Sequence, residues 1–134
     1  MIITAAIQNS QQQNHIIVAT EGNTKTINIP AKANGQGSAV NGGELLFLAL
    51  ATCFCNDVYR EAARREIEIS SISVTVSGNF GNEGEPATGI QYNTDIQSTA
   101  SKEAIATLIA DVDKIAEIHN TLRKGVNVTL QNGE

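Results

Sequence analysis

Cysteine, positive charge and long apolar runs are all scarce in this chain of 134 residues. Two cysteines cannot make the disulfide framework of a small secreted domain. No basic, apolar and small-residue leader opens the chain, so reduced thiols and a cytoplasmic location are the expectation. The longest apolar run, Leu45 to Cys55, contains a Thr and is about half a membrane span, so neither a transmembrane helix nor a membrane partner is expected. Nine basic residues against fourteen acidic ones leave a net charge of −5. The one concentration of cations, Arg60, Arg64 and Arg65, suits the last turns of a helix, where positive charge complements the dipole. A phosphate backbone needs clustered cations on a larger scale, and no nucleic-acid partner is expected.

What is present is enough to fold. Hydrophobic residues make up 41% of the chain and charged residues 17%. At this length folding removes roughly two-thirds of the extended surface from water, without help from disulfides or metals. No internal repeat or interdomain linker interrupts the sequence, so a single domain over residues 1–134 is expected.

The first forty residues read as strands. Ile2 to Gln8 and His15 to Thr20 carry β-branched residues, with the polar stretch Asn9 to Asn14 as a hairpin loop. Gly22-Asn23 signals a turn, Thr24 to Ile29 alternates, and Pro30 ends that strand. A Gly-, Asn- and Ser-rich connection then leads into a helix over Glu44 to Arg65, with Asn41 as its N-cap and Glu44 in its first turn. The first half of this helix is apolar all round, which demands burial on most sides. An obligate dimer would supply it. Ser70 to Phe80 and Ile90 to Gln97 read as paired strands. Ser101 caps a second helix whose pattern continues or restarts through Ile118 to Leu122, with Gly125 as a C-cap and Val126 to Leu130 as a last strand. The order β-β-β-α-β-β-α-β gives the fold class α+β with largely antiparallel sheet.

Chemistry centres on Cys53. It shares a helix face with Leu46, Ala49, Asn56, Asp57, Arg60 and Arg64. It therefore sits where that face turns from apolar to polar. A thiolate there would be stabilised by Arg60 and opposed by Asp57 at i+4, which leaves the sign of its pKa shift open. Cys55 shares its face with Ala51, Val58 and Ala62 and reads as structural. Two residues along a helix turn the side chain through about 200°, so the pair can neither close a disulfide nor grip one metal ion. His15 and His119 have no metal-ligand spacing, and Asp111 and Asp113 read as solvated. No cofactor and no metal are called for.

The run Asn41-Gly-Gly-Glu-Leu-Leu-Phe-Leu-Ala-Leu-Ala-Thr-Cys53, and Ile118-His119-Asn120-Thr121-Leu122 further on, resemble the OsmC/Ohr family over essentially the whole chain. The resemblance implies an OsmC-like fold, with sheets wrapped around a long central helix in an intertwined homodimer. It also implies a peroxiredoxin-like thiol peroxidase in the oxidative-stress response, acting on organic hydroperoxides or hydrogen peroxide. Cys53 takes the place of the peroxidatic cysteine, and an external dithiol regenerates the enzyme. A Glu and an Arg near that cysteine orient the peroxide. Here Ala116 replaces the resolving cysteine, so the family's intramolecular disulfide cannot form. Glu44 lies one residue closer to Cys53 than the family's Glu, whose position holds Gly43. Residues 1–40 contain no Arg, leaving Arg60 or Arg123 as the substitute.

Two functions remain open on the sequence. One is a monothiol peroxidase resolved by an external thiol. The other is a non-catalytic dimer of the same fold that binds a small hydrophobic ligand or a reactive sulfur species. A third reading is an unrelated α+β interaction domain with both cysteines in its core.

Overall fold

The structure is a computed structural model and describes residues 1–132. The chain divides into two compact units, Met1–Leu45 and Leu46–Glu134.

The first unit is an antiparallel sheet of β1 (Ile3–Ser10), β2 (Gln13–Thr20) and β3 (Asn23–Thr26), in that order. The expected six-residue loop shrinks to Gln11 and Gln12, and both adopt positive φ, 49° and 61°. A two-residue turn with left-handed backbone matches the twist of its strands, so the strands run on to Ser10↔Gln13. Asn9 and Asn14 face each other there, with a 2.7 Å side-chain hydrogen bond. The second turn falls on Glu21 and Gly22, again with positive φ, one residue earlier than expected. β3 stops at Thr26 rather than Ile29. The following loop folds on itself, with Lys32 N–H donating to Gly37 O and Ala39 N–H to Pro30 O.

Helix α1 (Gly42–Arg64) begins in the first unit and continues through the second. Its start is a reciprocal capping box. Glu44 N–H donates to Asn41 Oδ1 at 2.8 Å, and Asn41 N–H donates to Glu44 Oε1 at 2.9 Å. Its end has no glycine. Glu66 takes the left-handed conformation instead (φ 56°), and Ile67 N–H closes back onto Ala62 O at 2.8 Å.

In the second unit, β4 (Ile69–Asn79) pairs antiparallel with β5 (Thr88–Ser98), placing Ile72 opposite Ile96 and Val76 opposite Tyr92. Gly78 is required where it stands, because a Cβ there would lie 2.9 Å from the Phe47 ring and 3.3 Å from the Ile90 backbone. Helix α2 (Lys102–Ile115) starts at Ser101, whose hydroxyl accepts from Ala104 N–H. Helix α3 (Glu117–Lys124) follows after Ala116 alone and ends at Gly125 in the left-handed region. Phe54, Val58 and Ala62 of α1 form the core with Leu108 and Val112 of α2 and with Ala116. Ile72, Val74, Tyr92 and Ile96 pack against it from the hairpin.

Two expectations are corrected. Val126 to Leu130 forms no strand, so the described order ends in helix, not strand. The alternation is real, but a strand needs a partner and this segment pairs with none among the described residues. Val128 and Leu130 stand 96% and 80% exposed. The first half of α1 is also not buried all round in a single chain, since Leu48 is 59% exposed.

Candidate functional site

Cys53 lies in the fourth turn of α1, half-buried, and packs against the core cluster. Its Sγ donates to Asp57 Oδ2 across one helical turn, at 3.9 Å. Asp57 is only 4% exposed, and its other oxygen pairs with Arg60 Nη1 at 2.9 Å. That pairing makes a buried carboxylate tolerable. The backbone N–H groups of Ile118 and Glu117 at the start of α3 favour the thiolate. α3 begins with no side-chain cap, so its first N–H groups are free to face an anion.

These influences oppose one another. Burial pushes the Cys53 thiol up from its ordinary value near 9.0, the Ile118 N–H pulls it back, and the Asp57 and Glu117 carboxylates add to the rise. The net direction is upward. The direction left open on the sequence is therefore upward, with burial as its first cause.

The other expected site residues fall out as follows. Arg60 reaches Asp57 and, at 3.7 Å, Glu61, and its contacts are with those carboxylates. The carboxylate of Glu44 accepts from the Asn41 backbone and so holds the start of α1. Cys55 is half-buried in a shallow wall with Ala51, Thr52, Asn56 and Val74. Among the described residues no group of His, Cys, Asp and Glu could hold a metal ion.

A second cluster was missed. Asp113, expected to be solvated, accepts from the Tyr92 hydroxyl and from Arg123 Nη2, the latter at 2.7 Å. Arg123 Nη1 also donates to the Asp113 carbonyl at 2.9 Å and to Asn120 Oδ1 at 3.1 Å. Asn120 in turn donates to Lys114 O at 2.9 Å. This clamp ties α3 to the last turn of α2 and to β5. The Tyr92 and Arg123 hydrogen bonds hold the Asp113 carboxyl below its usual range, while burial and Asp113 push the Tyr92 hydroxyl far up.

Beside the clamp, His119 is 4% exposed and neither ring nitrogen has a protein partner. Leaving such a group unpaired costs about 1–3 kcal/mol. Its ring lies edge-on to Tyr92 at 4.7 Å and tilted to Phe54 at 5.8 Å. Burial, then Arg123, pushes the imidazole below its ordinary value. The signal available in the sequence was the spacing. His119 and Arg123 stand four apart on one helix face, and Tyr92 lies two residues from Thr94 on the inward side of β5.

A half-buried thiol set between a carboxylate and a helix start, on a helix packed with an antiparallel hairpin and two more helices, defines an α+β protein built around a cysteine-bearing helix. A family model for OsmC-like protein matches residues 35–131, and the chain belongs to the OsmC family. Among solved structures, an OsmC-like protein of Mycoplasma pneumoniae is 23% identical, covering 95% of this chain and 96% of that one, at a TM-score of 0.62. OhrB, the organic hydroperoxide resistance protein of Bacillus subtilis, is 22% identical over 95% and 96%, at 0.53. An organic hydroperoxide resistance protein OsmC of Legionella pneumophila is 19% identical over 97% and 95%, at 0.55. At these identities the likeness is one of fold. No curated protein matches the chain.

Proposed function

We propose that this protein is a monothiol hydroperoxide reductase of the oxidative-stress response, with Cys53 as the reacting group. The observation that supports the reading is the Cys53 Sγ contact with Asp57 at 3.9 Å, together with the Ile118 and Glu117 N–H groups that favour its anion. The first can take the thiol proton and the second can stabilise the anion. The sulfur attacks one oxygen of the hydroperoxide, the O–O bond breaks, and the thiol proton passes by way of Asp57 to the departing alkoxide. The products are Cys53 sulfenic acid and an alcohol. Ala116, wholly buried, stands where the family resemblance expects a resolving cysteine. An external thiol therefore condenses with the sulfenic acid, releasing water. A second thiol then frees Cys53 and leaves as disulfide. Such thiols are plentiful in the cytoplasm, where we place the protein. No helix among the described residues is long and apolar enough to cross a membrane.

The working form in this reading is a homodimer. Leu48 on α1 and the unpaired Val126–Leu130 segment leave apolar side chains in water that a second copy would cover.

The upward shift of Cys53 favours a second reading, a non-catalytic dimer of this fold holding a small hydrophobic ligand or a reactive sulfur species. Consumption of a small organic hydroperoxide with a dithiol reductant separates the two. Turnover that vanishes in Cys53→Ser and persists in Cys55→Ser supports the reductase. Equal, background consumption in all three proteins supports the binder.

A further inference from the structure

Helix α3 has 8 residues and starts without a side-chain cap. A helix this short is marginal by itself, and alanine at the N-cap leaves the first N–H groups unbound. Its place on the molecule is nevertheless defined. Ala116 is buried in the core cluster against which Cys53 packs. The His119 ring meets that of Phe54, the residue after Cys53, at 5.8 Å between centroids. The start of α3 thus lies over the turn of α1 that carries the thiol.

The far end of the same helix holds it there. Asp113 O and Lys114 O belong to the last turn of α2, where carbonyls have no helical N–H to accept from. Arg123 Nη1 donates to the first at 2.9 Å, and Asn120 Nδ2 donates to the second at 2.9 Å. Arg123 Nη1 also donates to Asn120 Oδ1 at 3.1 Å, which fixes that amide, and Arg123 Nη2 donates to the Asp113 carboxylate at 2.7 Å. With its own side chains α3 therefore caps α2. The Tyr92 hydroxyl donates to the same carboxylate and ties the cap to β5. Ala116 alone joins the two helices, so these bonds, with the packing of Ala116 and His119, set the angle between them.

We propose that Arg123 is a positioning residue for Cys53: by capping the end of α2 it fixes the direction of α3, and with it the Glu117 and Ile118 N–H groups beside the thiol. That role rests on the reading of Cys53 as the reacting group, but the titration of the thiol reveals it whether or not hydroperoxide is turned over. Hydrogen bonds weaken steeply with angle, whereas burial does not depend on it. A small rotation of α3 about Ala116 therefore takes the N–H partners from the thiolate before it uncovers the sulfur. Asp57 and Glu117, the carboxylates that act on the same sulfur, keep their charge throughout.

Arg123→Lys keeps the positive charge and loses the planar fork, at a half-exposed position outside the core. The full chain is alkylated with iodoacetamide and followed peptide by peptide from about pH 7 to 10. In Arg123→Lys the Cys53 midpoint should rise by about 0.3–0.5 pH unit and its rate near pH 8 should fall about two- to threefold, with Cys55 unmoved. Asn120→Ala changes no charge and removes the tie to Lys114 O, and it should move Cys53 the same way. In the wild type the Ile118 amide resonance should follow the Cys53 titration. A Cys53 midpoint unmoved in both variants overturns the proposal. So does faster alkylation of Cys53, the mark of a sulfur only uncovered, and so does an Ile118 amide indifferent to the titration.

Discussion

Cys53 and Cys55 are the same residue on the same helix, two positions apart, yet the fold gives them different surroundings. Cys53 packs on the core, donates to a buried carboxylate and faces the first N–H groups of α3. Cys55, about 200° around the helix, lies in a shallow wall of small and polar side chains. The difference comes from α3. Ala116 is the only residue between α2 and α3, and its burial brings the uncapped start of α3 to one face of α1 alone. The surroundings of a cysteine on this helix are therefore set by the neighbouring helix as much as by its own.

The largest effect that sharpens this contrast is the loss of hydroperoxide consumption in Cys53→Ser, while Cys55→Ser retains it. In the wild type that activity should climb close to tenfold per pH unit between about pH 7 and 9. A thiol pushed up from its ordinary value gains thiolate steadily as pH rises through this range. A rate flat across that range would mean that the thiolate forms more easily than the site predicts.

Asp57→Asn comes next. It removes a carboxylate that raises the Cys53 value, so alkylation of Cys53 at pH 8 should quicken about three- to fivefold, read peptide by peptide against an unchanged Cys55. The same variant removes the closer of the two ion pairs of Arg60 and leaves only the 3.7 Å contact with Glu61, at a cost of about 1–2 kcal/mol in chemical denaturation. Equal acceleration at both cysteines would point to loosened structure and break the contrast.

Asp113→Asn tests the clamp behind α3. Without the Arg123 ion pair the start of α3 is held less firmly, and Cys53 alkylation should slow about twofold while Cys55 stays constant. The smallest effect belongs to His119. Its folded value is lowered, so the unfolded chain binds a proton more readily and stability falls as pH drops below about 6.5. In thermal denaturation between about pH 7 and 5, His119→Phe should lose that part of the slope. A slope identical to the wild type would show that the imidazole takes up its proton in the folded state.

Much of the chain from the start of α1 onward was legible in the sequence because local rules and burial agree there. Asn41 caps α1 and Glu44 stands in its first turn as expected, and the structure adds that the two bond reciprocally. Ser101 caps α2, Gly125 closes α3, and Ile72, Val74 and Val76 share the inward face of β4. The misses have physical causes. Gln11 and Gln12 lack the turn signature of glycine or asparagine, and the Asn9–Asn14 pair lets the strands run further. Val126 to Leu130 alternates like a strand, but alternation does not supply a partner. Asp113 looked solvated because Asp111, two residues away, points elsewhere on the helix and nothing local pairs with it; its partners Tyr92 and Arg123 come from β5 and α3. The Cys53 face was readable from helical periodicity, as was the opposition of Asp57. The backbone N–H groups of Glu117 and Ile118 carry no side-chain signature and only the fold reveals them.

The most direct test of the central claim is intact-protein mass after brief exposure to a small organic hydroperoxide in the presence of a sulfenic-acid trap. One trapped adduct, mapping to Cys53 and absent in Cys53→Ser, is the predicted result. An adduct on Cys55, or none on a folded protein with both thiols free, would contradict it.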